Sequence, residues 1–320
     1  MFSLRFAAST AGFLISALLA SSALAYPVTV KSCNRDVTFD AAPSRAVSND
    51  VNLTEMMLAL KLQDHMVGYT GISGWKTLDE KIREGVKELP ELSPKYPTKE
   101  VLLNADADFY FAGWNYGMKV GGEVTPETLD AFKIKVYELT ESCIHIMAKN
   151  KPTMNDMFVD LVNLGKIFGV EERANDLVAG YKKGLNEVQT RIGAVMEPIR
   201  VFVYDSGTEK PFTSGRYGIP TAMIEAAGGI NVMDDVEKSW TEVSWEPVIE
   251  RNPQVIVIVN YGDVTAEQKI AFMKENPAFK NLDAVKQDRF VVLEYVEATP
   301  GPRNIDAIGR LADAFHPRNM

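Results

Sequence analysis

The chain has 320 residues, 46% of them hydrophobic, with 34 basic against 43 acidic residues and a net charge of −9. That balance excludes nucleic acid and anionic membrane as main partners, because both demand basic surface. The length suits two domains or one large one.

In chain order, the first element is not part of the fold. Arg5 is the only charge ahead of "AGFLISALLASSALA", and Ala23-Leu24-Ala25 is a small-x-small cleavage site. Residues 1–25 therefore read as a secretory signal peptide cut before Tyr26, with an apolar core too short and too rich in Ala and Ser to span a bilayer. No Cys follows the cut, so no lipid anchor is expected, and the product is predicted to be an exported, periplasmic protein without membrane insertion. Its two cysteines, Cys33 and Cys143, can bridge in an oxidising compartment or stay as two buried thiols.

The mature chain opens with "VTVKSCNRDVTF", whose β-branched alternation predicts a hairpin. "RAVSND" reads as a strand, and Leu53, Met56, Met57 and Leu60 make a helical stripe in the segment after it. "DFYFAG" and "KIKVYEL" are further strands. The same order returns with "IRVFVY", a helix around "GIPTAMIEAAG", then "VIVIVN" and "RFVVLE". Strands alternating with helices predict parallel α/β layers, here twice. Between them, residues 153 to 196 have helical periodicity and no Pro, with Gly165 and Gly169 as the expected break. The longer helix, from about Glu171, would reach roughly 35 Å, enough to join two lobes as a stiff rod. The predicted organisation is an N-terminal α/β lobe over 26–150, a helical connector over 151–197 and a C-terminal α/β lobe over 198–320.

One corner is built twice. "PTKEVLLNADADFYFAGWNYG" and "VSWEPVIERNPQVIVIVNYG" each run from an acid opening a short helical turn, Glu100 and Glu246, through a polar elbow and an apolar run to Asn-Tyr-Gly. An acid in a first turn meets the helix dipole, and a second role for the pair needs a partner with matching spacing.

Catalytic motifs are missing. His65, His145 and His316 are isolated in sequence, and no nucleophile elbow, metalloprotease or phosphate-loop motif occurs, so neither an enzyme nor a dedicated metal site nor a cofactor is expected. Aromatic residues instead gather where strands end: Tyr69, Trp75, Tyr96, Trp114 and Tyr116 in the first half, Tyr204, Phe212, Tyr217, Trp240, Tyr261 and Tyr295 in the second. In open α/β sheets the ligand crevice lies beyond the carboxyl ends of the strands, so these rings are candidates to wrap a bulky ligand, Trp114, Phe212 and Trp240 foremost. Arg216 in "SGRYG" and Arg303 in "PGPRN" sit in Gly/Pro-rich loops, where a guanidinium can fork onto an anionic ligand.

"PSRAVSNDVNLTEMMLALKLQDHMVG", "KEVLLNADADFYFA", "PFTSGR", "SWTEVSWEPVIERNPQVIVI" and "NPAFKNLDAVKQDRFVVL", in that order, resemble the substrate-binding proteins of ABC importers for iron complexes and cobalamin, over about Pro27 to His316. The resemblance implies two lobes bridged by one rigid helix and a cleft that holds a small-molecule metal chelate. It implies delivery to a two-fold inner-membrane ABC permease, by a receptor expected to be a monomer. Glu100 and Glu246 stand at the positions with which that family docks on paired Arg pockets of the permease. Phe212 and Trp240 match cleft aromatics of the cobalamin-binding members, and Trp114 falls at or beside a third. The leading hairpin and "TPGPRNIDAIGRLADAFHP" look more like the iron-complex receptors, in which cleft Arg residues meet anionic chelates and a Cys pair like Cys33 and Cys143 occurs. A ferric-siderophore receptor is the expected function, with cobalamin or haem as the alternative ligand and an exported enzyme acting on a chelate as the rival class.

Overall fold

A computed structural model describes residues 26–74, 76 and 78–317. The predicted signal peptide and Trp75 lie outside the described residues.

The chain enters through a hairpin, β1 (Val28–Ser32) and β2 (Arg35–Phe39), paired antiparallel with Val30 opposite Val37. Alternate residues of both strands are buried, as a period of two requires. The first sheet is built from β3 (Ala46–Asn49), β4 (Met66–Thr70), β5 (Glu91–Ser93) and β6 (Phe109–Trp114), with the two-residue β7 (Gly117–Met118) and β8 (Lys135–Glu138). Its order runs β5-β4-β3-β6, with β7 and β8 both pairing β6, and its strands are parallel. Helices cover it: α1 (Val51–Ala59), α2 (Glu80–Gly85), α3 (Lys99–Asn104) and α4 (Pro126–Asp130). Every residue of β3 and β6 is buried, as expected for central parallel strands packed on both faces.

Two helices follow, α5 (Met154–Ile167) and α6 (Glu171–Ile192). The second sheet comes next, from β9 (Ile199–Tyr204), β11 (Gly229–Asn231), β13 (Val255–Asn260) and β14 (Phe290–Glu294) in the parallel order β11-β9-β13-β14. A small antiparallel ribbon of β10 (Phe212–Ser214) and β12 (Trp240–Glu242) stands beside it. The helices of this half are α7 (Ile219–Ala226), α8 (Trp245–Arg251), α9 (Ala266–Glu275), α10 (Asp283–Lys286) and α11 (Asn304–Phe315). The molecule is thus two α/β lobes with mainly parallel sheets flanked by helices.

The helical pair between the sheets follows the predicted break, with one change. Gly169 makes the turn at φ +70°, whereas Gly165 lies inside α5. Gly165 is needed for packing: a Cβ there would stand 2.4 Å from the Ala174 side chain on α6. At 1.5 Å per residue α6 is about 33 Å long. Arg173 near its start donates to the Leu60 carbonyl at 2.6 Å, and Arg191 near its end donates to Gly309 of α11 at 3.1 Å. One continuous apolar cluster contains Leu53 and Phe109 of the first lobe, Leu161 of α5, Val178 of α6, and Val203 and Ile308 of the second. The rod therefore belongs to a shared core rather than to a linker.

The repeated corner exists in three dimensions. α3 leads into β6 and α8 into β13, and the elbows hold Asp106 and Asn252 at φ +46° and +43°. Asp and Asn tolerate this left-handed geometry better than other side chains with a Cβ. Cys33 in the hairpin turn is bonded to Cys143, with Cα atoms 5.3 Å apart.

Because the α5–α6 contact has no room for a methyl group at residue 165, Gly165→Ala is expected to destabilise the chain by about 1–3 kcal/mol through overpacking. Urea denaturation checks this, and an unchanged midpoint would show that the two helices separate freely.

Candidate functional site

The cleft is lined by residues standing just past strand ends. Asn115 and Tyr116 follow β6, Asp205 follows β9, Tyr261 follows β13 and Tyr295 follows β14, while Asp50, buried behind the lining, follows β3. The carboxyl edges of both sheets thus face one interlobe cavity of about 340 Å³, where crevices of open α/β sheets are expected.

Its aromatic floor comes from the β10–β12 ribbon. Phe212 pairs in register with Glu242, and Ser214 with Trp240, so Phe212 and Trp240 are diagonal neighbours on one face. Their rings stack 6.0 Å apart at an interplanar angle of 13°. Tyr261 and Tyr295 form a second wall, 5.2 Å between ring centroids. Tyr96 and Tyr116 close the first-lobe side, where the Tyr96 hydroxyl donates to the Asn115 carbonyl. The Tyr116 hydroxyl is buried with no hydrogen-bond partner among the described residues. Burial raises the Tyr96, Tyr116 and Tyr295 hydroxyls above the ordinary tyrosine range, so all three keep their protons.

The polar groups are organised around two carboxylates. Asp50, fully buried, accepts from the Val51 backbone at 2.6 Å, from the Tyr295 hydroxyl at 3.0 Å and from the Lys76 ammonium. Lys76 also lies over the Tyr295 ring, 4.4 Å from its centroid, and burial lowers its pKa. Asp205, 4% exposed, accepts through Oδ1 from Ser206 at 2.8 Å and from Tyr261 at 2.9 Å, and burial raises its pKa. His145 lies 3.2 Å from the Asn115 side chain, and burial followed by the Lys238 charge lowers its pKa.

The structure brings together Tyr96, Tyr116, Phe212, Trp240, Tyr261 and Tyr295 of the predicted residues. Others are placed elsewhere, which corrects the sequence expectation for them. Trp114 is a core residue, its indole N–H donating to the buried Glu138 at 2.9 Å, because β6 is covered on both faces. Tyr69 packs in the core with Val51, Ile72 and Ile82. Arg216 donates to the Asp234 carbonyl at 2.7 Å and pairs with Glu237, and Tyr217 is half-buried beside it, away from the cavity. Arg303 lines an adjoining cavity of about 440 Å³ behind Tyr261 and Tyr295, and its guanidinium is engaged by Glu55 at 2.8 Å and by Asp79. Asp50, Lys76, Asn115, His145 and Asp205 were missed as site residues. The available signal was position: each of the two acids directly follows a strand, in "AVSND" and "IRVFVYD".

A family model described as periplasmic binding protein matches residues 47–295. The chain belongs to that family. Two curated relatives of this periplasmic binding protein are informative. It is 23% identical over 297 residues to an uncharacterized ABC transporter substrate-binding lipoprotein of Bacillus subtilis, covering 91% of this chain and 86% of that one. It is 25% identical over 231 residues to the vitamin B12-binding protein of Pectobacterium atrosepticum, covering 71% and 75%. Among solved structures, a periplasmic binding protein from Veillonella parvula superposes with a TM-score of 0.79 at 30% identity, over 92% of this chain and 98% of that one. An ABC-type Fe3+-hydroxamate transport system from Saccharomonospora viridis gives 0.76 at 24%, over 91% and 99%. In sequence this periplasmic binding protein is thus similar to ABC transporter substrate-binding proteins, and it shares their fold.

The two lobes of the binding protein also meet at Glu141. Its Oε1 accepts from the Ile219 backbone at 3.2 Å, while Oε2 is buried without a partner among the described residues. Burial pushes its pKa from 4.5 up to about 8. Folded chains hold this proton where unfolded chains have released it, so its contribution makes stability fall as pH rises from 4.5 to about 8. Glu141→Gln is expected to remove that part of the slope and to stabilise the fold by roughly 2 kcal/mol at about pH 8. Urea titrations at about pH 5.5 and about pH 8 check this; a variant that loses as much stability as the parent over the interval would refute it.

Proposed function

We propose that this binding protein is exported, captures a bulky metal complex in the interlobe cavity, an iron complex foremost, and delivers it to an inner-membrane ABC permease without acting on it chemically. The observation that carries the reading is the aromatic lining contributed by both lobes, with the stacked Phe212–Trp240 pair as its floor. Planar side chains lose little entropy on ordering and offer large apolar area to a rigid ligand. The continuous core through α5 and α6 supports a largely preformed site. No helix among the described residues is long and apolar enough to cross a membrane, in keeping with a receptor that meets its permease at the surface. A corrinoid is the second reading, favoured by the vitamin B12-binding relative that aligns over 71% of this chain.

Calorimetric titration with ferric hydroxamates, ferric catecholates, haemin and cyanocobalamin tests the reading. One of these complexes is expected to saturate the cavity at micromolar concentration or below, and Trp240→Ala to weaken it by about tenfold, or about 1.4 kcal/mol. Silence across the whole panel would remove the chelate assignment.

Delivery rests on the two corners. Glu100 and Glu246 are exposed in the first turns of α3 and α8, and hydrogen bonds from their own backbone and from Thr98 and Ser244 hold both carboxyls below the usual carboxylate range. Both acids are thus charged and displayed, one on each lobe, as docking on a two-fold partner demands. Charge reversal at both (Glu100→Arg with Glu246→Arg) is expected to leave ligand affinity within about twofold while reducing uptake in cells by at least about tenfold. Uptake that survives the double reversal would exclude these corners as the docking points.

A further inference from the structure

The charges and hydrogen-bond directions inside the cavity speak to the ligand's own charge. Among the described lining residues, Lys76, Asp205 and His145 are the groups able to carry charge near neutrality. The Lys76 ammonium is taken up by the buried carboxylate of Asp50 and by the face of Tyr295. Burial and the nearby Lys238 charge both disfavour the charged form of His145. That leaves Asp205, whose Oδ1 accepts two hydrogen bonds and whose Oδ2 accepts none among the described residues. Its charge is offset in part by the Lys269 ammonium, which is itself bonded to the Val259 carbonyl at 2.6 Å and lies over the Tyr261 ring.

Three of the lining tyrosine hydroxyls are spent in the same direction, Tyr116 being the one without a partner among the described residues. The hydroxyl protons of Tyr261 and Tyr295 go to Asp205 and Asp50, at 2.9 and 3.0 Å, and that of Tyr96 goes to a backbone carbonyl. The loop guanidiniums are engaged outside this cavity, Arg216 by the Asp234 carbonyl and Glu237, Arg303 by Glu55 and Asp79 in the adjoining cavity, where its Nη2 has no hydrogen-bond partner among the described residues. A polyanionic ligand entering this cavity would lose its hydration beside the Asp205 carboxylate, with the Lys76 and Lys269 ammoniums already engaged by Asp50 and by the Val259 carbonyl, which is unfavourable in a partly desolvated site.

Resting on the reading of the cleft as a chelate site, we infer that it selects metal complexes without net negative charge, and that Asp205 is the specificity-determining residue, accepting from an amide, ammonium or hydroxyl donor on the rim of the complex. The ligand class is then an uncharged or cationic complex with a donor-bearing periphery, its apolar body against Phe212 and Trp240. Trianionic catecholates and complexes with free carboxylates fall outside it.

The experiment is a charge series on the full mature chain: cationic ferrioxamine B, neutral ferrichrome, neutral cyanocobalamin and trianionic ferric enterobactin, each titrated calorimetrically at low and high salt. A neutral or cationic complex is expected to bind at least about tenfold more tightly than the trianion. Asp205→Asn, which keeps the shape of the side chain, is expected to narrow that ratio by about tenfold and to flatten the salt dependence of any cationic ligand. Thermal melts establish that the variant folds; if it does not, the wild-type ranking and its salt dependence still decide. Tighter binding of the trianion, or a ratio that Asp205→Asn leaves unchanged, would overturn the inference while leaving the chelate function intact. Failure of every complex to bind would instead overturn the functional reading, and this one with it.

Discussion

A single buried carboxylate holds the cleft in register. Asp50 stands where β3 ends and α1 begins, at φ +71° and ψ 158°, a region that residues with a Cβ avoid at a cost of about 1–3 kcal/mol. What the strain secures is direction. From this backbone the side chain reaches the Val51 N–H, the Lys76 ammonium of its own lobe and the Tyr295 hydroxyl of the other. Buried ion pairs add little net stability, because desolvation offsets their attraction. Their value here is geometric: one acid fixes the cation and the aromatic wall on opposite sides of the lobe boundary. Asn52 and Glu55, on the helix that Asp50 caps, continue the seam by bonding Pro300 at 2.8 Å and Arg303. The start of α1 is thus the hinge plate against which the second lobe rests.

Fixing that seam matters because the rest of the architecture is stiff. An apolar core that passes through both helices between the sheets resists separation of the lobes, since opening them far would expose packed side chains to water. Gly165 lets α5 and α6 approach closely, and Arg173 and Arg191 tie the rod at its two ends. On the proposed reading, recognition then depends on side chains already in place, with little closure of the lobes.

The parallel sheets and the rod were legible because they rest on periodicity and length, which are local properties of the sequence. The paired corner was legible for the same reason: Glu100 and Glu246, the elbows at Asp106 and Asn252 and the apolar runs that follow repeat in order. Side-chain direction was not. Trp114 and Trp240 both stand at strand boundaries, yet β6 is buried on both faces, so alternation says nothing about where Trp114 points. Trp240 faces the cavity only because β12 pairs with β10 in a register set by the intervening residues. Arg216 lies away from the cavity and Arg303 lines only the adjoining one, because a loop position shows that a guanidinium can reach inward, while the carboxylates and carbonyls that hold it come from distant sequence.

The same distinction explains how one scaffold supports different cargoes. The sheets place their carboxyl ends opposite each other and thereby fix where a ligand lies, but the residue that follows each strand decides what it meets. After β6 that residue is a polar turn, after β9 an acid, after β13 and β14 a tyrosine. These positions lie outside the hydrogen-bonded ladders, so their side chains are free of the packing rules that determine the strands. The aspartate after β9 is buried at a cost that Ser206 and Tyr261 offset in part by solvating one of its oxygens from within the protein. The other oxygen then sets the electrostatic character of the whole chamber.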